Sequence, residues 1–205
     1  QLDWFHDDEI RQNFATRLHA ALRMFDLEDL KALDGLGFGQ EYSGMKDVEV
    51  ISRHSVLEGV QIQADGYFLD TGTRHYVRFV QGLESYDIVS EGRNIRYKAH
   101  ELEPLGANVN YVEPHAGVLK VRTYEKGVED ETFACGTGIV ASCVASYVKG
   151  VNPSERYADG RVRYDVKAKR DSLSVDFIPT EKMVAQDVWL TGPATYVAQI
   201  IVEID

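Results

Sequence analysis

Glu131-Thr132-Phe133-Ala134-Cys135-Gly136-Thr137-Gly138 leads into a segment that carries no charged side chain until Lys149. Over 135–149 a helix is predicted on which Ile139, Val140, Val144, Tyr147 and Val148 take several sides, while Ala141, Ser142, Ala145 and Ser146 fill the rest. No face of such a helix suits water, so it must be enclosed. Gly150 and Pro153 end it.

The flanking sequence supplies the material for the enclosure. Arg161 to Lys167 and Leu173 to Phe177 alternate apolar and polar residues, with Asp159-Gly160 and Arg170-Asp171 as turns beside them. Further strands are predicted at Tyr67 to Asp70, Tyr76 to Val80, Asn108 to Val112, Val118 to Tyr124, Val188 to Thr191 and Thr195 to Ile204. The 161–177 ribbon is expected to have one wet face, and the fold class expected is α+β: an antiparallel sheet wrapped around a buried central helix, the one long helix of this region.

Residues 1–40 read differently. Ile10, Phe14, Leu18, Leu22 and Phe25 form one stripe of an amphipathic helix over 8–25, capped by Asp7 or Asp8, and a shorter helix spans Leu27 to Leu33. Gly35, Gly37 and Gly39 punctuate its end, so the expected organisation is a helical segment over 1–40 followed by a larger unit over 41–205.

Composition narrows the partners. Twenty-two basic against thirty-three acidic residues give a net charge of −11, which argues against nucleic acid or an anionic membrane as partner. The opening Gln1-Leu2-Asp3-Trp4 has no basic stretch followed by an apolar one, no uninterrupted apolar run reaches membrane-spanning length, and the expected location is cytoplasmic. Cys135 and Cys143 are the two cysteines. They lie two turns apart on one helix, about 12 Å along its axis, too far for a disulfide, so both are expected as reduced thiols. The six histidines and two cysteines show no spacing suited to a metal site, and no metal is expected.

Cys135 opens the buried helix, and that position has chemical consequences. Gly136 and Gly138 allow a ligand close to the backbone, the first-turn N–H groups lack helical partners, and the positive end of the helix dipole favours a thiolate. The expectation is a reactive thiol of depressed pKa beside a pocket for a carboxylate. Cys143, among Val140, Val144 and Tyr147, is expected to be inert core. Glu129-Asp130-Glu131 is expected to cap and complement the helix dipole from just ahead of it.

The stretch from Tyr124-Glu125-Lys126-Gly127 through Cys135-Gly136-Thr137-Gly138 resembles the signature around the second active-site cysteine of the diaminopimelate epimerases. Asp70-Thr71-Gly72-Thr73-Arg74-His75-Tyr76-Val77, Asn108-Val109-Asn110 and Leu190-Thr191-Gly192-Pro193-Ala194 are similar to further motifs of that family, in the expected order, so the resemblance covers about 41–205. It implies a fold of two similar lobes, each wrapping a central helix, with an amino-acid substrate in the cleft between them. It also implies cofactor-free epimerisation that interconverts LL- and meso-diaminopimelate, in the synthesis of lysine and peptidoglycan precursors. Such a reaction needs one group to take the alpha proton from one face and another to return it from the opposite face.

Carried over residue by residue, the resemblance makes Cys135 an acid/base, with His75 and Glu125 assisting the thiols. Asn108, Lys126, Gly136, Thr137 and Thr73 fall at substrate-binding positions. Lys126 stands where the family usually has arginine, exchanging a forked grip on a carboxylate for a point charge. Thr73-Arg74 stand in place of an asparagine-proline pair. No Cys-Gly-Asn-Gly motif precedes residue 40, so the second proton-transfer group is expected from a missing first lobe or from a second chain. The alternatives are a one-base isomerase using Asp7, Asp8 or Glu9, and a non-catalytic relative that binds an amino-acid-like anion at the helix start.

Overall fold

The computed structural model describes residues 47–56, 59–63, 65–98, 105–181 and 185–195, all within the unit Lys46–Asp205. The helical segment expected over 1–40, with Asp7, Asp8 and Glu9, lies outside the described residues, as does the strand expected over Thr195 to Ile204 apart from Thr195 itself.

The elements run β1 (Asp47–His54), β2 (Gln61–Ile62), β3 (Tyr67–Asp70), β4 (Arg74–Phe79), α1 (Ile88–Lys98), β5 (Asn108–His115), β6 (Val118–Glu125) and β7 (Asp130–Thr132). They continue with α2 (Gly136–Lys149), β8 (Glu155–Arg156), β9 (Val162–Lys167), β10 (Ser172–Pro179) and β11 (Ala185–Thr195). One curled sheet contains every described strand in the order β1-β11-β10-β9-β6-β5-β4-β3-β2, with β7 beside β6 and β8 beside β9.

The sheet is mixed, which corrects the antiparallel expectation. β4 runs parallel to β5 with His75 opposite Asn108, and β6 runs parallel to β9 with Val118 opposite Asp165. Parallel neighbours cannot be joined by a tight turn and need a crossover, usually helical. α1 is the crossover between β4 and β5, and α2 lies in the crossover between β6 and β9.

α1 also corrects the expectation of one long helix. Its sequence, Ile-Val-Ser-Glu-Gly-Arg-Asn-Ile-Arg-Tyr-Lys, is polar and has a glycine in its middle, a composition that reads as loop. The glycine is there for packing. A methyl group on Gly92 would sit 2.4 Å from Tyr124 Cβ, so only a bare backbone lets α1 lie this close to β6. Asp87 accepts the Ser90 N–H at 3.1 Å at the helix start.

With a helix packed on each side, β3 to β5 have no wet face. Leu69, Val77 and Val112 join Ile139, Val140 and Val144 of α2 in one core. Their neighbours Phe68, Tyr76 and Tyr111 turn the other way, into a second core with Ile88. The period-2 alternation is present, but each set contributes apolar residues to a core because both faces are covered. The β9–β10 ribbon keeps the expected wet face, with Arg163 reaching Asp165 at 3.1 Å and Asp176 at 3.8 Å across it.

α2 is buried from Gly138 through Ser146. Its hydroxyls are satisfied within the helix, Ser142 donating to Gly138 O and Ser146 to Ser142 O, both at 2.7 Å. Gly150, at φ 86°, ends it as expected: the Val151 N–H returns to Ser146 O at 2.9 Å.

The approach to α2 is held by an ion pair rather than by the expected acidic cap. No acidic residue lies in the first turn of α2. Glu131 instead takes a forked pair of bonds from Arg122 at 2.7 and 2.8 Å and one from Lys169 Nζ at 2.9 Å. Arg122 also donates to Leu83 O at 2.7 Å and Tyr86 O at 3.2 Å, which ties the chain before α1 to the chain before α2. The guanidinium holds the Glu131 carboxyl below its usual range. Among the described residues no helix is long and apolar enough to cross a membrane.

Glu131 is 8% exposed in its pair with Arg122, so Glu131→Ala leaves a partly buried guanidinium without its counter-charge. The expected cost is about 2–4 kcal/mol, near the range for breaking a buried pair, read as a lowered urea midpoint with an unchanged slope.

Candidate active site

Three segments meet at the start of α2. The turn after β3, the end of β6 and the helix start each contribute side chains whose types were legible in the sequence, and a fourth set comes from the middle of β5.

Cys135 is the N-cap residue of α2, extended at φ −126°, ψ 107°. Its carbonyl accepts the first helical bond, from the Ile139 N–H at 2.8 Å. The N–H groups of Gly136, Thr137 and Gly138 precede that bond and have no intrahelical acceptor, as at any helix start. The side chain is 9% exposed. Its sulfur lies 3.6 Å from Thr137 Oγ1.

The expectation of a depressed thiol pKa is not met. Burial pushes the Cys135 thiol above its ordinary value and the negative charge of Glu125 adds to this, while the Thr137 hydroxyl and the Gly138 N–H pull the other way. Desolvation of the thiolate outweighs the helix-start donors. Cys143 is fully buried, and burial raises its thiol further still.

Thr137 is the hub of the site. Its Oγ1 lies 3.0 Å from His75 Nε2 and 3.1 Å from Thr73 Oγ1, and Thr73 Oγ1 lies 2.8 Å from the same nitrogen. Thr71 donates to the Thr137 carbonyl at 2.9 Å. The turn that carries Thr71 and Thr73 is set by Asp70, which accepts the Gly72 N–H at 2.9 Å, and Gly72 takes the left-handed φ of 98° that the turn requires.

His75 is wholly buried. Burial lowers its pKa from 6.5 to about 3, so the ring is neutral at physiological pH. Its Nδ1 lies 3.0 Å from Asn110 Nδ2, and Asn110 Oδ1 accepts the Thr123 hydroxyl at 2.9 Å. The ring therefore reaches Cys135 through Thr137.

The remaining expected residues fall around this group. Glu125, half-buried at the end of β6, acts on the sulfur through its charge. Asn108 accepts the Lys126 N–H at 2.8 Å through Oδ1, which fixes the turn after β6. Lys126 itself is exposed. Gly136 faces Leu190, whose Cδ2 would meet an added methyl at 3.2 Å. The structure thus brings Cys135, Thr137, Thr73 and His75 into bonded contact and sets Glu125 within electrostatic reach.

No family model matches the sequence. Curated relatives do. A diaminopimelate epimerase from Chlorobaculum tepidum is 41% identical over 139 residues, covering 67% of this chain and 50% of that protein. One from Flavobacterium psychrophilum is 32% identical over 168 residues, covering 81% of this chain and 60% of that protein. The chain belongs to the diaminopimelate epimerase family. It spans about half to three-fifths of the length of these relatives. Among solved structures, a probable proline racemase from Agrobacterium radiobacter K84 matches in fold at a TM-score of 0.50, with 15% identity, over 77% of this chain and 54% of that one.

Around this site, sequence reading missed Thr71, Asn110 and Thr123. One signal pointed to Asn110: it stands two residues after Asn108 and two before Val112, on the same side of a strand. A polar residue expected on a core face asks for partners.

Two outcomes follow from the burial of the thiols and the ring. Alkylation of Cys135 by iodoacetamide should rise with pH to a midpoint above that of an unperturbed thiol, about 8.5, while Cys143 should react only on unfolding. A Cys135 midpoint at or below the unperturbed value would refute the balance described here.

Unfolded His75 takes up a proton near pH 6.5, whereas the folded ring resists until about 3. Between those values the unfolded state binds more protons, so stability falls as pH drops from 6.5, by up to about 1.4 kcal/mol per pH unit. Urea titrations at pH 7 and 4.5 should show a steeper loss for the native protein than for His75→Gln.

Proposed function

We propose that this chain carries the second thiol lobe of a cofactor-independent epimerase that interconverts LL- and meso-diaminopimelate, its sheet wrapping α2 so that Cys135 faces the substrate cleft. The observation that carries this reading is Cys135 at the N-cap of α2, its sulfur beside the Thr137 hydroxyl and under the charge of Glu125. The identity to curated diaminopimelate epimerases supports the substrate.

In this mechanism the N–H groups of Gly136 and Thr137 at the helix start hold the substrate alpha-carboxylate, and the helix dipole favours the negative charge that develops as the alpha proton leaves. Cys135, its thiol raised by burial, is the protonated member at rest and delivers its proton to one face of the alpha carbon. A second group takes the alpha proton from the opposite face. In the reverse direction the Cys135 thiolate is the base, and each turnover leaves the two groups in exchanged protonation states. The second group comes from outside the described residues, on another segment or a second chain. Lys126 and Asn108, at the rim, meet the substrate's distal end. The setting expected for such an enzyme is the cytoplasm.

Incubation with diaminopimelate in heavy water tests this. Inversion with uptake of one deuterium at the alpha carbon is the expected result, and Cys135→Ala should slow it by at least about a hundredfold, the lower range for a positioned acid/base. Exchange with retention would mean that one base acts alone. Binding of diaminopimelate without exchange would leave an amino-acid-binding module and sink the enzymatic reading.

A further inference from the structure

Asn110 and Thr123 are fully or almost fully buried polar residues that the proposed chemistry does not use. Their hydrogen bonds have a direction that can be worked out atom by atom. Asn110 Nδ2 lies 3.4 Å from the carbonyl oxygen of Tyr76, which can only accept. On its other side, Asn110 Oδ1 takes the Thr123 hydroxyl proton at 2.9 Å. The Tyr76 carbonyl puts the amide NH2 group toward His75, where it lies 3.0 Å from Nδ1, and the Thr123 hydroxyl serves as donor to the oxygen left on the other side. A nitrogen that accepts there carries no proton, so the single proton of the neutral ring sits on Nε2.

The start of α2 presses on this amide: a methyl group on Gly138 would fall 2.3 Å from Asn110 Oδ1. The Nε2 proton faces Thr73 Oγ1 and Thr137 Oγ1, at 2.8 and 3.0 Å, and the two oxygens are 3.1 Å apart. Because Nε2 donates, neither hydroxyl can place its own proton on the ring. One hydroxyl bonds the other, and one proton is left over. Cys135 Sγ, 3.6 Å from Thr137 Oγ1, is the acceptor in reach of it. With the opposite tautomer a bare Nε2 competes with the sulfur for the hydroxyl protons of Thr73 and Thr137, and whenever Thr137 turns to the ring the sulfur loses its donor.

We propose that Asn110, oriented by Thr123 and the Tyr76 carbonyl, is a positioning residue that fixes the His75 proton on Nε2 and thereby keeps the Thr137 hydroxyl as a donor to the Cys135 thiolate. No proton leaves the ring in this arrangement. When Cys135 is a thiol, its S–H points to Thr137 and the Thr137 proton to Thr73; when Cys135 ionises, the Thr137 hydroxyl rotates to the sulfur. The idea rests on Cys135 being the proton-transfer group, but its test needs no substrate.

The first measurement is a long-range proton–nitrogen spectrum of the 15N-labelled protein, with His75 assigned by its loss in His75→Gln. A protonated Nε2 and an unprotonated Nδ1, unchanged between pH 5 and 8, are expected; a proton on Nδ1 overturns the proposal. The second is iodoacetamide alkylation of Cys135 at pH 8. Thr137→Val should slow it by about three- to tenfold, the loss of one hydrogen bond to the thiolate, and Thr137→Ser should restore the native rate. Asn110→Asp, whose carboxylate draws the proton to Nδ1, should slow it equally and add nothing to Thr137→Val. Glu125, the charged side chain that acts on the sulfur, is unchanged in every variant.

A purely structural Asn110 would instead give additive effects, or faster alkylation of a loosened site, and either refutes the proposal. Should Asn110→Asp not fold, the native tautomer and the Thr137 pair still decide. Failure of deuterium exchange with these results intact would sink the epimerase reading alone.

Discussion

Burial of α2 is the constraint on which the rest depends. Nine successive residues, Gly138 to Ser146, are shielded from water, and a helix with no wet side must take its neighbours from the sheet on more than one flank. Residues from β3, β5, β6, β9 and β10 share its core. Entry into that core forces the chain to leave β6 and rejoin the sheet beside it at β9, in parallel. The same enclosure leaves small side chains as the only fit where the helix meets β5, as at Gly138 against Asn110.

The chemistry at the helix start is a contest between that burial and the helix's own field. Unpartnered N–H groups and the dipole favour a thiolate, by an amount that falls off within a turn. Desolvation opposes it, and Glu125 adds a like charge. In this protein desolvation wins, and the thiol rests protonated. His75 shows the same effect with the opposite sign: burial removes the charged form of the ring, and the neutral imidazole becomes a fixed donor whose direction is set by a neighbouring amide. The Arg122–Glu131 pair sits just upstream of Cys135. It anchors β7 and the chain before α1 at one point, so the geometry of the helix start is held from outside the core.

Much of this was legible in the chain. The uncharged run to Lys149 announced a buried helix, Gly150 its end, and the alternation at 161–167 and 173–177 a ribbon with one wet face. Cys135, Thr137, Thr73 and His75 were each visible by type and position. α1 was not, because its polar sequence and central Gly92 are explained only by Tyr124 of β6, more than two dozen residues further on. The double burial of β3 to β5 was hidden for the same reason: α1, which covers their second face, could not be read from its own polar sequence.

The sequence by itself determined the candidate proton-transfer residue and its local setting. A cysteine followed by Gly-Thr-Gly and a charge-free helix can be read within one segment, since helix starts and amphipathicity are near-neighbour properties. Tertiary structure alone decided the protonation of that cysteine and the tautomer of the histidine. Both depend on desolvation and on hydrogen bonds from β5 and β6, and the strength of those terms is set by how closely distant segments pack, which no local pattern encodes.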